Sequence, residues 1–417
     1  HERRGRLCGL VAGLIIGGFL FLFSYNLHFA LTDKSAAPKA RLPNFDVARF
    51  VLETLVIHAH LILLGLLAVD VQPEYLSSFR MPAFMIISGI FGANMAYESV
   101  SKLLCCTVGT LILMVCIRLV EYRLIWGPER VLANLGKNFH LDLVAPGLWF
   151  LPALAGMRLL VTPLFHFARK LKIRTVAPFL FVKLASYCVM HWTKGWNGWI
   201  LSAYLWHNFL AFAPFFALGM LWSPAEWDAF LKKRWVQALS IAYFAAWYLL
   251  ILSPGFLQWN SSYCLPVVQK KGCYAHYDPA QVDGPMNIET FLLDLVFFGL
   301  RLGISVSFMG VVVPVCEVVG LVMPRLIELM AGWGSRTLYT YVIHIHAFTV
   351  LNEDGYFHFR NASPGVKWAI NVVLPVLLNV VLSSQGSERW FRWLLMPFWI
   401  KDLFEGKAPG CSSAASR

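Results

Sequence analysis

Four polar residues share one face of an otherwise apolar stretch: Asp46, Arg49, Glu53 and His60. Their offsets of three, seven and fourteen residues, at about 100° per residue, place them within roughly 60° of one another on a helix. An ionisable group near the middle of a bilayer costs about 2.5 to 3.5 kcal/mol on insertion scales, so such a stripe belongs against protein or a polar cavity. Imidazole titrates near neutrality and suits a general base, which makes His60 the leading candidate for catalysis, with Asp46, Arg49 and Glu53 beside it. His58 points about 200° away from His60 and falls off the stripe. The plainer alternative is a His60 that only hydrogen-bonds a neighbouring helix. His344 and His346 repeat the two-residue spacing and face apart in the same way. Asp294 and Arg301, seven apart on one face, read as an indirect internal charge pair that could reach a substrate. Lys183 and His207 are further buried candidates without informative context.

The elements that must position these residues are apolar spans. The 417 residues are 58% apolar and 14% charged, with a mean hydropathy of +0.61, values that no soluble domain of this length needs. Ten core spans fall roughly at 49–69, 81–97, 102–120, 147–166, 176–192, 199–222, 236–255, 290–314, 336–351 and 366–384, each about long enough to cross 30 Å of hydrocarbon. Residues 9–31 form an eleventh span, too long for a signal-peptide core and without a cleavage motif. The expected fold is therefore an all-α, polytopic membrane helix bundle of ten core helices plus one N-terminal helix. Residues 1–40 make an N-terminal segment, 41–400 the membrane domain and 401–417 a short cytoplasmic tail. The chain opens on His rather than Met, as a processed or truncated product would.

Charge orients the bundle, because short cytoplasmic loops are rich in Lys and Arg. Arg169, Lys170, Lys172 and Arg174, then Lys232, Lys233 and Arg234, then Arg389, Arg392 and Lys401 all fall on one side, taken as cytoplasmic. The sequons at Asn260 and Asn361 fall on the other, with Cys264 and Cys273, which form either a disulfide or two free thiols. That places the 256–289 loop in the lumen or outside the cell, in a eukaryotic endomembrane or plasma membrane. The remaining cysteines lack ligand spacing, so no metal is expected. A net charge of +12 suits anionic lipid surfaces and anionic substrates, and without a basic soluble domain no nucleic-acid partner is expected.

Within this frame, Pro82 near the start of the second span suits a helix beginning, and Ser88-Gly89 permits close helix approach. Thr337 or Ser335 can cap the helix that carries His344. The segments, in this order, resemble the acyltransferase 3 family of integral-membrane acyltransferases. Asp46, Arg49 and His60 match its first-span pattern of an acidic residue, a basic residue three later and a His eleven after that. Phe79-Arg-Met-Pro-Ala-Phe84 running to Ser88-Gly89 is similar to its second-span motif, Leu148-Trp-Phe-Leu151 to its fourth, and Gly334 to His344 to its Gly-x-x-Ser-Leu-x-x-Tyr-x-x-His segment, with Thr337 in the Ser place. The third span departs from the pattern: where the family carries a basic pair, this chain has only Lys102, with Arg118 at the far end.

The resemblance implies an O-acyltransferase that moves an acyl group, in the first instance acetyl, from cytoplasmic acyl-CoA to a hydroxyl of a glycan or lipid-linked acceptor. His60 would take the acceptor proton or carry the acyl group transiently. Arg49 and Lys102 would meet the donor phosphates, and Arg80, Ser88, Lys102, Trp149, Tyr341 and His344 would line the substrate path. Two rival readings remain. In one, a transporter uses the stripe as a proton or substrate relay, with helices broken at Pro314 and Pro375. In the other, the chain is a catalytically silent relative.

Overall fold

The computed structural model describes residues 42–63, 74–92, 150–192, 203–252, 288–338, 340–344 and 363–388. Every element among them is helical, as the periodicity leads one to expect. In chain order they are α1 (Pro43–Leu63), α2 (Glu74–Gly92), α3 (Phe150–Lys170), α4 (Val176–Trp192), α5 (Ala203–Gly219), α6 (Pro224–Leu231), α7 (Arg234–Leu252), α8 (Ile288–Val322), α9 (Pro324–Gly334) and α10 (Pro364–Leu382). A further helical segment covers residues 337–338 and 340–344. The expected spans at 9–31 and 102–120, both sequons, and Cys264 and Cys273 lie outside the described residues.

Local sequence explains where several helices begin. Pro43, whose ring presets φ and removes a donor the first turn would leave unpaired, opens α1, and Asp46 sits in that first turn where the helix dipole favours an anion. Ser223 and Glu226 form a reciprocal capping box at α6, with Pro224 at the first helical position. The backbone N–H of Ser223 donates to Glu226 Oε2 at 2.7 Å, and this bond holds the Glu226 carboxyl below its ordinary pKa.

α1 lies at the centre of the site-bearing half, packed by α2, α8, α9 and α10. Two contacts depend on missing side chains. Gly89 of α2 and Gly219 of α5 meet backbone to backbone, since a Cβ on Gly89 would strike the Phe216 carbonyl and one on Gly219 the Ile86 carbonyl. Gly334, the last residue of α9, abuts the Asp46 carbonyl of α1 in the same way. Small residues allow this approach where dispersion, rather than water expulsion, holds helices together.

Three features differ from the sequence expectation. α8 runs unbroken through Pro314 and α10 through Pro375, because neighbouring helices can support a proline inside a span. The break falls elsewhere, at residues 220–223, where Phe209–Gly219 and Pro224–Leu231 meet at 82°. The stretch after residue 314, expected as connection, is helical to Val322 and again through α9. One helix among the described residues, Thr290–Val322, is long and apolar enough to cross a membrane by itself.

One end of the molecule gathers segments distant in sequence. Arg169 donates to the Met220 carbonyl at 2.9 Å, Thr175 to the Leu221 carbonyl at 3.2 Å, and Asn44 to Asp228 Oδ1 at 3.2 Å. The first basic cluster and the start of α1 therefore share that end with α6, which the second cluster follows directly.

Candidate active site

α1 and the 337–344 segment bring two histidines into direct contact. His60 Nδ1 lies 2.8 Å from His344 Nε2, and the rings stack with centroids 5.1 Å apart and planes 21° from parallel. His344 Nδ1 in turn lies 2.7 Å from the Thr340 carbonyl oxygen. That oxygen only accepts, so His344 Nδ1 carries the proton and its neutral ring presents a bare Nε2. His60 Nδ1 must then be the donor, which leaves the lone pair of His60 on Nε2. The tautomers are thus assigned by the hydrogen-bond chain.

Around this pair stand the other charged groups. Glu53, only 1% exposed, places Oε1 3.7 Å from His344 Nδ1, too far for a hydrogen bond, and that oxygen has no hydrogen-bond partner. Arg80 reaches from α2 to donate to the Leu55 carbonyl at 2.7 Å and interacts electrostatically with Glu53 and Tyr341. Tyr341 stands roughly edge-on to His344, ring centroids 6.1 Å apart, and packs on Phe150 at 5.2 Å.

The stripe therefore divides into two stations. Glu53 and His60 join Arg80, Tyr341 and His344, whereas Arg49 is held near the start of α1, 3.3 Å from Asp46 and with its guanidinium 4.6 Å above the Phe91 ring. Eleven residues of helix separate Arg49 from His60, about 16 Å. Ser88, buried on α2, lies eight residues beyond Arg80, about 12 Å along that helix. Lys102, Trp149 and His346 lie outside the described residues, as does the side chain of His207. His58 Nδ1 is buried without a hydrogen-bond partner, and the ring interacts electrostatically with Arg80. Ser335 and Thr337 donate backwards to the carbonyls of Gly332 and Gly334, closing the end of α9.

Two histidines and a glutamate invite a metal reading, but the facing ring nitrogens bond each other instead of converging on one point. No group of His, Cys, Asp and Glu among the described residues could hold a metal ion.

The other charged candidates gather between α4 and α8. The Asp294 carboxylate pairs with Lys183 of α4, a partner across the helix interface, and Arg301 lines a small cavity with them. Lys183 also sits 5.1 Å from the Phe298 ring centre, and Tyr187 hydrogen-bonds Thr290 at 2.7 Å. Lys183, Tyr187, Asp294, Phe298 and Arg301 line this cavity of about 20 Å³, room for about one water and far too little for an acyl chain or a sugar.

Sequence reasoning passed over Asn379, Ser383 and Thr340, all fully buried and joined by hydrogen bonds between α10, the His344 segment and α1. The available signal was an amide and a hydroxyl four residues apart in an apolar helix, which places both on one face.

Compared with known proteins, residues 42–384 match the model of the acyltransferase 3 family, described as an acyltransferase domain. The chain belongs to this family of acyltransferases. No curated protein and no solved structure matches it.

Proposed function

We propose that this protein is a multi-pass membrane O-acyltransferase in which His60 Nε2 accepts the proton of an acceptor hydroxyl. The observation that carries the reading is the hydrogen-bond chain from Thr340 through His344 to His60, which leaves one lone pair unengaged on the stripe's imidazole. As the acceptor oxygen attacks the thioester carbonyl of acyl-CoA, its proton passes to His60 Nε2. The carbon–sulfur bond then breaks, and the departing thiolate takes the proton from His60. Glu53 stands one ring further along, its Oε1 3.7 Å from His344 Nδ1. A transient acyl-His60 would use the same lone pair.

The membrane assignment draws on the family and on outward faces built from large apolar residues. Leu249 of α7 is 72% exposed, and Leu180, Leu239, Leu377 and Val381 are likewise exposed on α4, α7 and α10. Such a surface suits hydrocarbon, not water. Ten core spans, with the basic end cytoplasmic, would let donor and acceptor arrive from opposite sides. At the donor end Arg49 keeps 24% of its side chain exposed despite its bond to Asp46, so it can still meet a phosphate. Lys102 would join it there. The acyl group is taken as acetyl and the acceptor as a glycan or lipid-linked hydroxyl.

The test is transfer from radiolabelled acetyl-CoA to an extract of glycans and polar lipids, with parent, His60→Ala and His58→Ala proteins in proteoliposomes. Transfer by the parent and His58→Ala but not by His60→Ala is expected. Equal transfer by the parent and His60→Ala overturns the site. Solute flux without transfer by any of them overturns the activity.

A further inference from the structure

The hydrogen bonds around Asn379 close a ring that starts and ends on α1. Asn379 Nδ2 donates one proton to the Phe50 carbonyl at 2.9 Å and the other to Thr54 Oγ1 at 2.8 Å. Thr54 spends its own proton on the Phe50 carbonyl at 2.9 Å. Ser383 Oγ donates to Asn379 Oδ1 at 3.1 Å, so the 2.7 Å contact between Ser383 and Thr340 must take its proton from Thr340 Oγ1. The carbonyl of the same Thr340 accepts from His344 Nδ1, and His344 Nε2 accepts from His60 Nδ1, ten residues along α1 from Phe50. Every donor in the ring is matched to an acceptor. Asn379, Ser383, Thr340 and His344 are all 0% exposed, so no bulk water can substitute for any of them.

We infer that Asn379 is a positioning residue for the acyl-transfer site: through Ser383 and Thr340 it sets the placement of His344, and through His344 the orientation of the His60 lone pair. The inference rests on the acyltransferase reading above. An amide with both protons committed to Phe50 and Thr54 admits one register of α10 on α1. Arg336 fixes the same register from the other side, donating to the Ser383 carbonyl at 2.7 Å. A hydroxyl-bearing acceptor needs the His60 Nε2 within hydrogen-bond reach, and a misplacement of about 1 Å can cost on the order of 100-fold in rate. Asn379 touches neither histidine, so its loss should lower kcat and leave KM alone.

Four variants separate positioning from simple packing. Asn379→Leu removes the amide at similar volume, and Thr340→Val removes only the hydroxyl link. Thr340→Ser keeps that hydroxyl, and Asn371→Leu alters the same helix at a side chain outside the ring. In the labelled acetyl-CoA assay, Asn379→Leu and Thr340→Val are expected to lower kcat about 2- to 30-fold with KM within about twofold. Thr340→Ser and Asn371→Leu should stay near the parent. Ring-nitrogen NMR of the protein labelled with 15N-histidine in nanodiscs, assigned with His60→Ala and His344→Ala, gives a second readout that needs no turnover. The parent should show Nδ1–H on both rings, and Asn379→Leu should mix the tautomers of His60. Unchanged kcat in Asn379→Leu, or equal losses in Thr340→Val and Thr340→Ser, overturns the inference. If the parent transfers no label, the acyltransferase reading fails, and the ring is then judged by the spectra: identical parent and Asn379→Leu signals refute it. If Asn379→Leu does not fold, Thr340→Val decides, and parent-like kcat there refutes the ring.

Discussion

Replacing His344 tests the chemistry most directly, because the two substitutions that matter differ in one property. His344→Leu deletes the acceptor that faces His60 Nδ1, while His344→Gln keeps an oxygen that can accept the same proton. In the ground state the 2.8 Å bond joins two neutral rings and is worth about 1 kcal/mol net. When His60 Nε2 takes the acceptor proton the ring becomes a cation, and the bond becomes charge-assisted, worth about 1.5 to 3 kcal/mol. Burial amplifies this, since His344 is 0% exposed and no water can take its place. The stronger bond exists only once the proton has moved, so its loss appears in kcat. Only the difference from the ground state, about 0.5 to 2 kcal/mol, enters kcat, so at 1.36 kcal/mol per decade His344→Leu should lower kcat about 2- to 30-fold. His344→Gln should retain most of the rate, and KM for acetyl-CoA should be unaltered in both. Steady-state transfer of radiolabelled acetyl in proteoliposomes measures these values. A parent-like kcat in His344→Leu would refute the argument that His60 is oriented through its Nδ1. A His344→Gln variant with normal melting but as slow as His344→Leu would refute the tautomer assignment.

Three structural predictions are open to thermal unfolding in detergent. Gly334→Ala places a methyl against the Asp46 carbonyl, backbone against backbone, and should destabilise by about 1 to 3 kcal/mol, whereas Gly332→Ala, whose nearest neighbour would be Arg336 Nη2 at 3.5 Å, should not; equal melting temperatures for the two variants would contradict the close approach of α9 to α1. Removing either partner of the buried Lys183–Asp294 pair should cost about 3 to 5 kcal/mol, while the double change Lys183→Met with Asp294→Leu should cost much less; additive losses would mean the two charges do not depend on each other. The Glu226 carboxyl is held below its ordinary pKa by the Ser223 N–H, so its stabilising contribution is complete above the unfolded-state value and fades as pH falls through the lower folded-state value. Glu226→Gln should therefore melt below the parent at neutral pH and converge with it in acid, and a gap that widens on acidification would reverse the sign of the argument.

The sequence made much of the site legible one helix at a time. A period of 3.6 residues and four polar side chains were enough to put Asp46, Arg49, Glu53 and His60 on one face and to set His58 aside. The same arithmetic says nothing about what faces the stripe. It treated the four residues as one unit, whereas Arg49 closes on Asp46 and Phe91 at one station and Glu53 and His60 serve another. Asp294 and Arg301 share a face seven residues apart, but that spacing is silent about Lys183, 111 residues away, which pairs with the carboxylate. Asn379 and Ser383 share a face four residues apart, but that spacing does not say what they meet, and the meaning of the amide lies in Phe50 and Thr54, more than 300 residues earlier.

What the sequence determined by itself follows from interactions within about one turn: helical periodicity, the capping box at Ser223 and Glu226, proline at helix starts, and which side of α1 is polar. The tertiary structure decided which of two histidines meets His344, which ring nitrogen keeps its lone pair, and that Gly334 has to be bare. Those outcomes depend on hydrogen bonds and backbone contacts between segments hundreds of residues apart. Local propensity carries no information about them, because a buried donor takes whichever acceptor the packing of the helices brings within reach.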